Sequence, residues 1–172
     1  TGLTNFRQFK NLLEAEHTRA SRYKSSYAVV FMDIDHFKKY NDANGHPAGD
    51  EVLKTFAKVL KSCARTTDVP ARYGGEEFVV LCPETNLEQA VVLAERIKTA
   101  VTSTKFIHGE KQPLGFVSCS IGVSSFPHDG DSIDEVLKAS DDILYWSKAE
   151  GRNRVTASRG KGKNPPIPKK KD

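Results

Sequence analysis

The sequence lacks any apolar run long enough to cross a bilayer, and its few cysteines follow no recognisable spacing. Cys63, Cys82 and Cys119 are scattered and odd in number, so neither a disulfide framework nor a zinc site is predicted. The first residues of this segment are not expected to form a signal peptide. We therefore expect a reduced, cytoplasmic protein whose segment here makes no membrane contact. Because the chain begins at Thr1 without Met, we also expect an upstream sensory or receiver domain.

A basic groove for nucleic acid is not indicated either, because the excess positive charge lies at one end. The chain has 26 Lys and Arg against 22 Asp and Glu, but six of the basic residues follow Ser158. The remaining body is close to neutral, so we predict no nucleic-acid partner. We expect one domain over residues 1–157, followed by a disordered tail over 158–172 that is rich in Gly, Lys and Pro.

Three apolar patterns predict strands. A continuous run over 27–32 has the length and the β-branched residues of a buried strand. Short runs over 69–73 and 78–81 flank Gly74-Gly75-Glu76-Glu77, which predicts a β-hairpin whose glycines supply a positive φ at the turn. Alternation over 116–123 predicts a strand that is buried on one face only.

Helical periodicity separates these strands. We predict a helix over 6–23 and an amphipathic helix over 50–64 whose first turn is capped by Asp50. Capping-box patterns at Thr85–Glu88 and Ser132–Glu135 begin two more helices. Since helices and strands alternate while one hairpin is antiparallel, the predicted fold is α/β or α+β, with a mixed central sheet flanked by helices.

Four carboxylates are expected at one edge of this sheet. Asp33 and Asp35 follow the first strand, and the hairpin turn carries Glu76 and Glu77. Such groups repel one another unless a cation lies between them, and hard divalent cations prefer oxygen ligands. From these residues alone, a metal site and an exposed acidic strand end both remain open.

A resemblance narrows this choice. The string Arg72-Tyr73-Gly74-Gly75-Glu76-Glu77-Phe78 resembles the signature of the GGDEF family of diguanylate cyclases, with Glu in its third position. Further segments match the family in order up to about residue 155: TGLTN at 1–5, DIDHFK at 33–38, NDANGH at 41–46, GD at 49–50, SIGV at 120–123 and GRN at 151–153. The resemblance implies a palm-like βαββαβ core, similar to class III nucleotide cyclases.

The implied activity is the condensation of two GTP molecules into cyclic di-GMP and two pyrophosphates, in the catalytic domain of a larger bacterial signalling protein. By the same resemblance, Asp33, the Ile34 carbonyl and Glu76 hold magnesium, for which manganese can substitute. Glu77 is implied as a neighbouring ligand or base, and with Glu76 and Asp33 it forms the catalytic set. Asp35 is expected to support this set.

Other matched positions imply nucleotide contacts. Asn41 and Asp50 correspond to the pair that recognises guanine, while Lys38, Lys148 and Arg152 correspond to groups that bind the triphosphate. The carboxylate of Asp50 suits guanine, whose N1–H and amino group are donors that adenine lacks there. The structural alternatives are a helix cap for Asp50 and solvated surface cations for the other three.

The segment Arg65-Thr-Thr-Asp68 matches the RxxD site at which the family binds its product as an inhibitor, and Arg96 matches a secondary position of that site. An exposed ion pair is the structural alternative. The resemblance also implies a homodimer, because each protomer presents one GTP to the other.

Two rival functions remain: a catalytically silent receptor for cyclic di-GMP or GTP, and an enzyme of relaxed base choice that makes cyclic GMP-AMP. The intact Gly74–Glu77 signature favours a cyclase over a receptor, and Asp50 favours GTP.

Overall fold

The computed structural model describes residues 1–166 and contains a five-stranded sheet with the strand order β2-β3-β1-β4-β5. The strands are β1 (Tyr27–Ile34), β2 (Val69–Arg72), β3 (Glu77–Pro83), β4 (Cys119–Phe126) and β5 (Val155–Ala157). The β4–β5 pair is parallel and the other pairs are antiparallel. This arrangement confirms the predicted mixed sheet.

Helices cover both faces of the sheet. They are α1 (Phe6–Tyr23), α2 (Phe37–Asn44), α3 (His46–Cys63), α4 (Leu87–Ser103) and α5 (Ile133–Ala149), with a 3₁₀ turn at Gly109–Lys111. Alternate residues of β1 point to opposite faces. Val30 packs with α3 and α4, whereas Val29 packs with α1 and α5. The chain order through β4 is the predicted βαββαβ core.

Helix α3 begins four residues earlier than predicted. Gly45, with φ +83°, ends α2, and Pro47 lies in the first turn of α3. Proline is well suited to this position because its missing N–H has no helical partner there. Asp50 therefore lies inside the helix, and its predicted role as the cap is wrong.

Capping boxes begin both α4 and α5, one of them a residue later than predicted. Asn86, rather than Thr85, caps α4 and forms a capping box with Gln89, so that prediction was wrong by one residue. The box formed by Ser132 and Glu135 at the start of α5 is confirmed.

Strand β4 is buried along its whole length, so the predicted half-exposed strand over 116–123 is wrong. Hydrogen bonds from the hydroxyls of Ser120 and Ser124 and from the backbone of Ser125 satisfy buried polar groups of this strand. The Ser124 hydroxyl donates to the Val136 carbonyl at 2.8 Å, and the Ser125 amide donates to the Asp129 carboxylate at 2.7 Å.

The hairpin of β2 and β3 is confirmed, but the conformation predicted for its glycines is not. Neither Gly74 nor Gly75 has a positive φ. The side chain of Arg72 holds the turn instead: its Nε and Nη2 donate to the Gly75 carbonyl at 3.0 and 2.7 Å.

Residues 158–166, predicted to begin a disordered tail, lie along the loop between β4 and α5. Ser158 is buried and its hydroxyl donates to the Asp129 carboxylate. Lys161 Nζ lies 2.8 Å from Asp131 and 3.1 Å from Glu135. Acidic groups of the loop thus accept from this segment. The rest of the predicted tail, 167–172, lies outside the described residues, and the domain boundary at 157 stays a prediction.

Across residues 1–166, no helix combines the length and the apolar character needed to span a bilayer.

Candidate active site

A cleft of about 500 Å³ lies between α2, the first turns of α3 and the turn of the β2–β3 hairpin. Lys38 and Asn41 line it from α2, Asp50 from α3 and Glu76 from the hairpin turn. The fold therefore brings four of the predicted site residues into one cleft, although they come from three separate segments.

The break between α2 and α3 gives this cleft its wall. The Gly45 amide donates to the Asn41 carbonyl at 2.8 Å, and the Gly49 amide donates to the Gly45 carbonyl at 3.3 Å. The two helices therefore meet at Gly45, so that Asn41 faces the start of α3. The Oδ1 atom of Asn41 is buried and has no hydrogen-bond partner among the described residues.

Backbone bonds position the hairpin turn beside β1. The Tyr73 amide donates to the Glu77 carbonyl at 2.9 Å, and the Ile34 amide donates to the Glu76 carbonyl at 3.3 Å. Together with the contacts of Arg72, these bonds fix Glu76 next to the end of β1. Sequence reasoning included Arg72 in a motif but assigned it no role, because its contact with Gly75 depends on the turn geometry.

A buried carboxylate, Asp33, lies at the end of β1 opposite Glu77 of β3. Its Oδ2 atom is 2.8 Å from Lys148 Nζ on α5. Burial raises the pKa of Asp33 to about 6; the bond and charge of Lys148 oppose this shift, while Glu76 and Glu77 add to it. Added positive charge would therefore stabilise the ionised form of Asp33.

Asp35 is buried and surrounded by donors. Its carboxylate accepts from the Ser118 hydroxyl at 2.7 Å, the Ser120 hydroxyl at 2.6 Å and the backbone N–H of Asn153 at 3.0 Å. These bonds join the end of β1 to β4 and to the segment that follows α5. The position of Asp35 is thus that of a structural carboxylate beside Asp33.

Five residues predicted to hold the metal or the substrate do not line this cleft, namely Asp33, Ile34, Glu77, Lys148 and Arg152. Glu77 lines a second cleft of about 370 Å³ with Phe31 and Tyr73, on the opposite face of the sheet from Glu76. Lys148 contacts Asp33 instead. Arg152 has a left-handed backbone, with φ 64°, and lies near His36. After burial, the charge of Arg152 is the largest influence that lowers the pKa of His36.

A family model described as diguanylate cyclase, GGDEF domain, matches residues 1–154 of the chain. The chain belongs to the GGDEF domain family. This match confirms the resemblance inferred from the signature residues.

Curated relatives share this GGDEF domain as part of longer chains. The response regulator PleD of Caulobacter vibrioides is 43% identical over 155 residues, which cover 90% of this chain and 34% of PleD. Diguanylate cyclase DgcM of Escherichia coli K12 is 45% identical over 159 residues, which cover 92% of this chain and 37% of DgcM. The chain thus spans about a third of the length of these relatives.

Solved structures confirm the fold of the GGDEF domain. The active GGEEF domain of a diguanylate cyclase from Vibrio cholerae has a TM-score of 0.83 at 34% identity, covering 91% of this chain and 98% of that one. The GGDEF domain of DgcB from Caulobacter crescentus, in complex with c-di-GMP, has a TM-score of 0.83 at 33% identity, covering 93% and 91%.

The predicted inhibitory residues of the GGDEF domain meet at the C-terminal end of α3. The Asp68 carboxylate accepts from the backbone amide of Arg65 at 2.7 Å, so the alternative of an Arg65–Asp68 side-chain ion pair is not observed. Arg96 Nη2 on α4 donates to the Cys63 carbonyl at 2.5 Å. Arg65 and Arg96 therefore lie at the same corner of the domain.

The predicted magnesium ligands of the GGDEF domain are few but chemically suitable. Among residues 1–166, no group of three or more His, Cys, Asp and Glu side chains forms a metal-binding arrangement. The predicted set needs only Asp33, Glu76 and the Ile34 carbonyl. It fits a divalent cation because Asp33 is buried close to two further carboxylates and already binds an ammonium group.

Proposed function

We propose that this GGDEF domain is a diguanylate cyclase that condenses two GTP molecules into cyclic di-GMP and two pyrophosphates. The observation that carries this proposal is the cleft in which Asn41 and Asp50 lie beside Lys38 and Glu76. It combines groups that suit a guanine base with groups that suit a triphosphate and its metal.

Base recognition rests on hydrogen bonds of opposite polarity. The Asp50 carboxylate accepts from the N1–H and amino group of guanine, and the Asn41 amide donates to an acceptor on the base. Adenine presents a different pattern at these positions, so GTP is preferred over ATP. Paired contacts of this kind contribute about 1–3 kcal/mol of base discrimination.

Positive charge at the triphosphate comes from the protein and from a metal. Asp33, the Ile34 carbonyl and Glu76 would hold magnesium, with manganese as a substitute. The metal supplies charge that stabilises both the attacking and the leaving oxygen of phosphoryl transfer. Lys38 and Lys148 add fixed positive charge, to which Arg152 contributes from the turn after α5.

The transfer itself joins two nucleotides. The 3′-oxygen of each GTP bonds to the α-phosphorus of the other, the bond from each α-phosphorus to the oxygen that bridges it to the β-phosphate breaks, and two pyrophosphates leave. The 3′-hydroxyl proton passes to a carboxylate. The resemblance assigns this role to Glu77, and this part of the proposal rests on the resemblance alone, because the Glu77 side chain lines the second cleft. Because one cleft holds one GTP, a homodimer must bring two clefts face to face, under the control of an upstream domain.

Product inhibition follows from the second predicted site. Cyclic di-GMP carries two guanines and two phosphates, and the planar guanidinium groups of Arg65 and Arg96 can pair with both kinds of group. We propose that product bound there, with Asp68, holds protomers in an unproductive arrangement.

The proposal is tested by incubating concentrated protein with GTP and magnesium and quantifying cyclic di-GMP by mass spectrometry, with ATP in a parallel reaction. We expect product from GTP alone. Glu76→Gln removes a proposed metal ligand and should abolish turnover without lowering the unfolding midpoint, whereas Glu14→Gln, on the exposed side of α1, should retain turnover. Tight binding of cyclic di-GMP without any product would instead favour the receptor function.

A further inference from the structure

Gly49 packs directly against the Asn41 side chain in the wall of the nucleotide cleft. A Cβ atom at position 49 would overlap Oδ1 of Asn41 and lie 2.9 Å from its Cγ. Phe37 Cζ, at 3.2 Å, would be a tight but less severe contact. Gly49 is buried inside α3 and has no positive φ. Its requirement is therefore one of space rather than of backbone conformation.

In this arrangement the Asn41 amide turns its oxygen toward α3. A side-chain amide has an acceptor oxygen and a donor nitrogen. Oδ1 is buried against α3 without a hydrogen-bond partner among residues 1–166. The donor nitrogen is therefore the polar group that Asn41 can offer to a ligand in the cleft.

We propose that Gly49 is a positioning residue for base specificity, acting through Asn41; this inference rests on the proposed guanine site. The missing side chain lets α3 lie against the amide and keeps its nitrogen aimed at an acceptor on guanine. Asp50, the next residue of α3, lines the same cleft with an acceptor. The first turns of α3 thus place both the acceptor of Asp50 and the donor of Asn41, which together distinguish guanine from adenine.

The cost of adding a methyl group at this position should fall on binding rather than on folding. The nearest obstacle is the end of a rotatable side chain, so Asn41 can turn aside without moving the backbone. Alanine is also a better helix former than glycine. Gly49→Ala should therefore preserve the fold while misplacing the Asn41 amide.

The test is to measure affinity for α,β-methylene GTP and α,β-methylene ATP, with magnesium, by calorimetry. Gly49→Ala is expected to weaken binding of the GTP analogue about tenfold and to reduce the GTP-over-ATP preference by a similar factor. Its unfolding midpoint should equal or exceed that of the original chain. Gly109→Ala is the matched control, since a Cβ there makes only ordinary contacts, at 3.5 Å or more, with Phe106 and Val117.

A double-mutant cycle shows whether Gly49 acts through Asn41. In an Asn41→Ala background, which removes the obstructing amide, Gly49→Ala should fold and should cause no further loss of affinity. An equal loss in both backgrounds, unchanged base preference in Gly49→Ala, or unfolding of the double variant would each overturn the inference. If the original chain bound both analogues equally, the guanine site itself would be wrong, and this inference with it.

Discussion

At the scale of single residues, Asp33 combines burial with a proposed role, metal binding, that needs negative charge. Burial raises its pKa to about 6 in the folded protein, above the ordinary value of 3.8. Without a metal, the folded state therefore binds this proton more tightly than the unfolded chain does. From about pH 4 to pH 6, Asp33 should make the free energy of unfolding fall as pH rises, by roughly 3 kcal/mol in total.

The measurement is urea unfolding of the original chain and of Asp33→Asn in EDTA across this pH range. Other carboxylates titrate in both proteins, so the difference between the two pH profiles isolates Asp33. The free energy of unfolding of Asp33→Asn should not show the additional decrease that the original chain shows as the pH rises toward 6. Parallel profiles would contradict this prediction, because they would show that Asp33 has the same pKa in the folded and the unfolded chain.

Arg65 is predicted to contribute to product inhibition without contributing to the fold. Asp68 binds the backbone amide of Arg65, so Arg65→Ala leaves this contact in place. We expect the concentration of cyclic di-GMP that halves cyclase activity to rise at least about tenfold, since hydrogen bonds to charged groups are worth about 1.5–3 kcal/mol. Lys61→Ala, one turn earlier, is the control. An unchanged inhibition curve would assign Arg65 to the ordinary solvated surface.

The sequence predicted which residues meet better than it predicted where each side chain points. Lys38, Asn41, Asp50 and Glu76 do share a cleft. Glu77 lies on the opposite face of the sheet, because it is the first residue of β3 whereas Glu76 lies in the turn. The motif alone does not reveal which of these two glutamates faces the ligand. The contact of Gly49 with Asn41 was equally hidden, since it depends on how α2 and α3 meet at Gly45.

At the scale of elements, α5 contacts β4 at a point where only glycine fits. A Cβ on Gly122 would overlap the Ser140 carbonyl oxygen and the Leu144 amide nitrogen, and would lie 3.0 Å from the Ile143 carbonyl carbon. These are backbone atoms, so the whole helix must move. Gly122→Ala should lower the free energy of unfolding by about 3 kcal/mol in urea titrations.

Because α5 also carries Lys148, the same substitution should reduce cyclase activity even where the protein remains folded. Gly109→Ala should change stability by less than about 0.5 kcal/mol. Equal stability of both variants would mean that α5 can shift on the sheet at little cost.

Element boundaries were predictable where one local signal dominated. Ser132 and Glu135 form their capping box as expected, because both partners of the box lie within one turn. The start of α3 was not predicted correctly, because Gly45 and Pro47 begin this helix earlier than the apolar pattern indicates. The burial of β4 was missed because its serines find partners from distant segments, such as Val136, which sequence spacing cannot show.

At the scale of the whole molecule, residues of the segment 158–166 contact the body of the domain. Ser158 covers the Asp129 carboxylate, which is fully buried. Lys161 pairs with Asp131 and Glu135 at the start of α5. Lys161, which the composition assigns to a solvated tail, thus partly neutralises the acidic groups at the start of α5.

Chains ending at residue 157 and at residue 166 should therefore differ in stability. The shorter chain leaves the Asp129 carboxylate without its serine donor and uncovers it, which should lower the free energy of unfolding by about 1–3 kcal/mol. The chain ending at 166 keeps every contact on which this expectation rests. The free energy of unfolding of both chains is measured by urea titration. Equal stability would place the domain boundary at residue 157. A lower stability of the shorter chain would place the boundary after the contacts of Lys161. Asp129→Asn should narrow the difference between the two chains, because the penalty arises from uncovering a charged group.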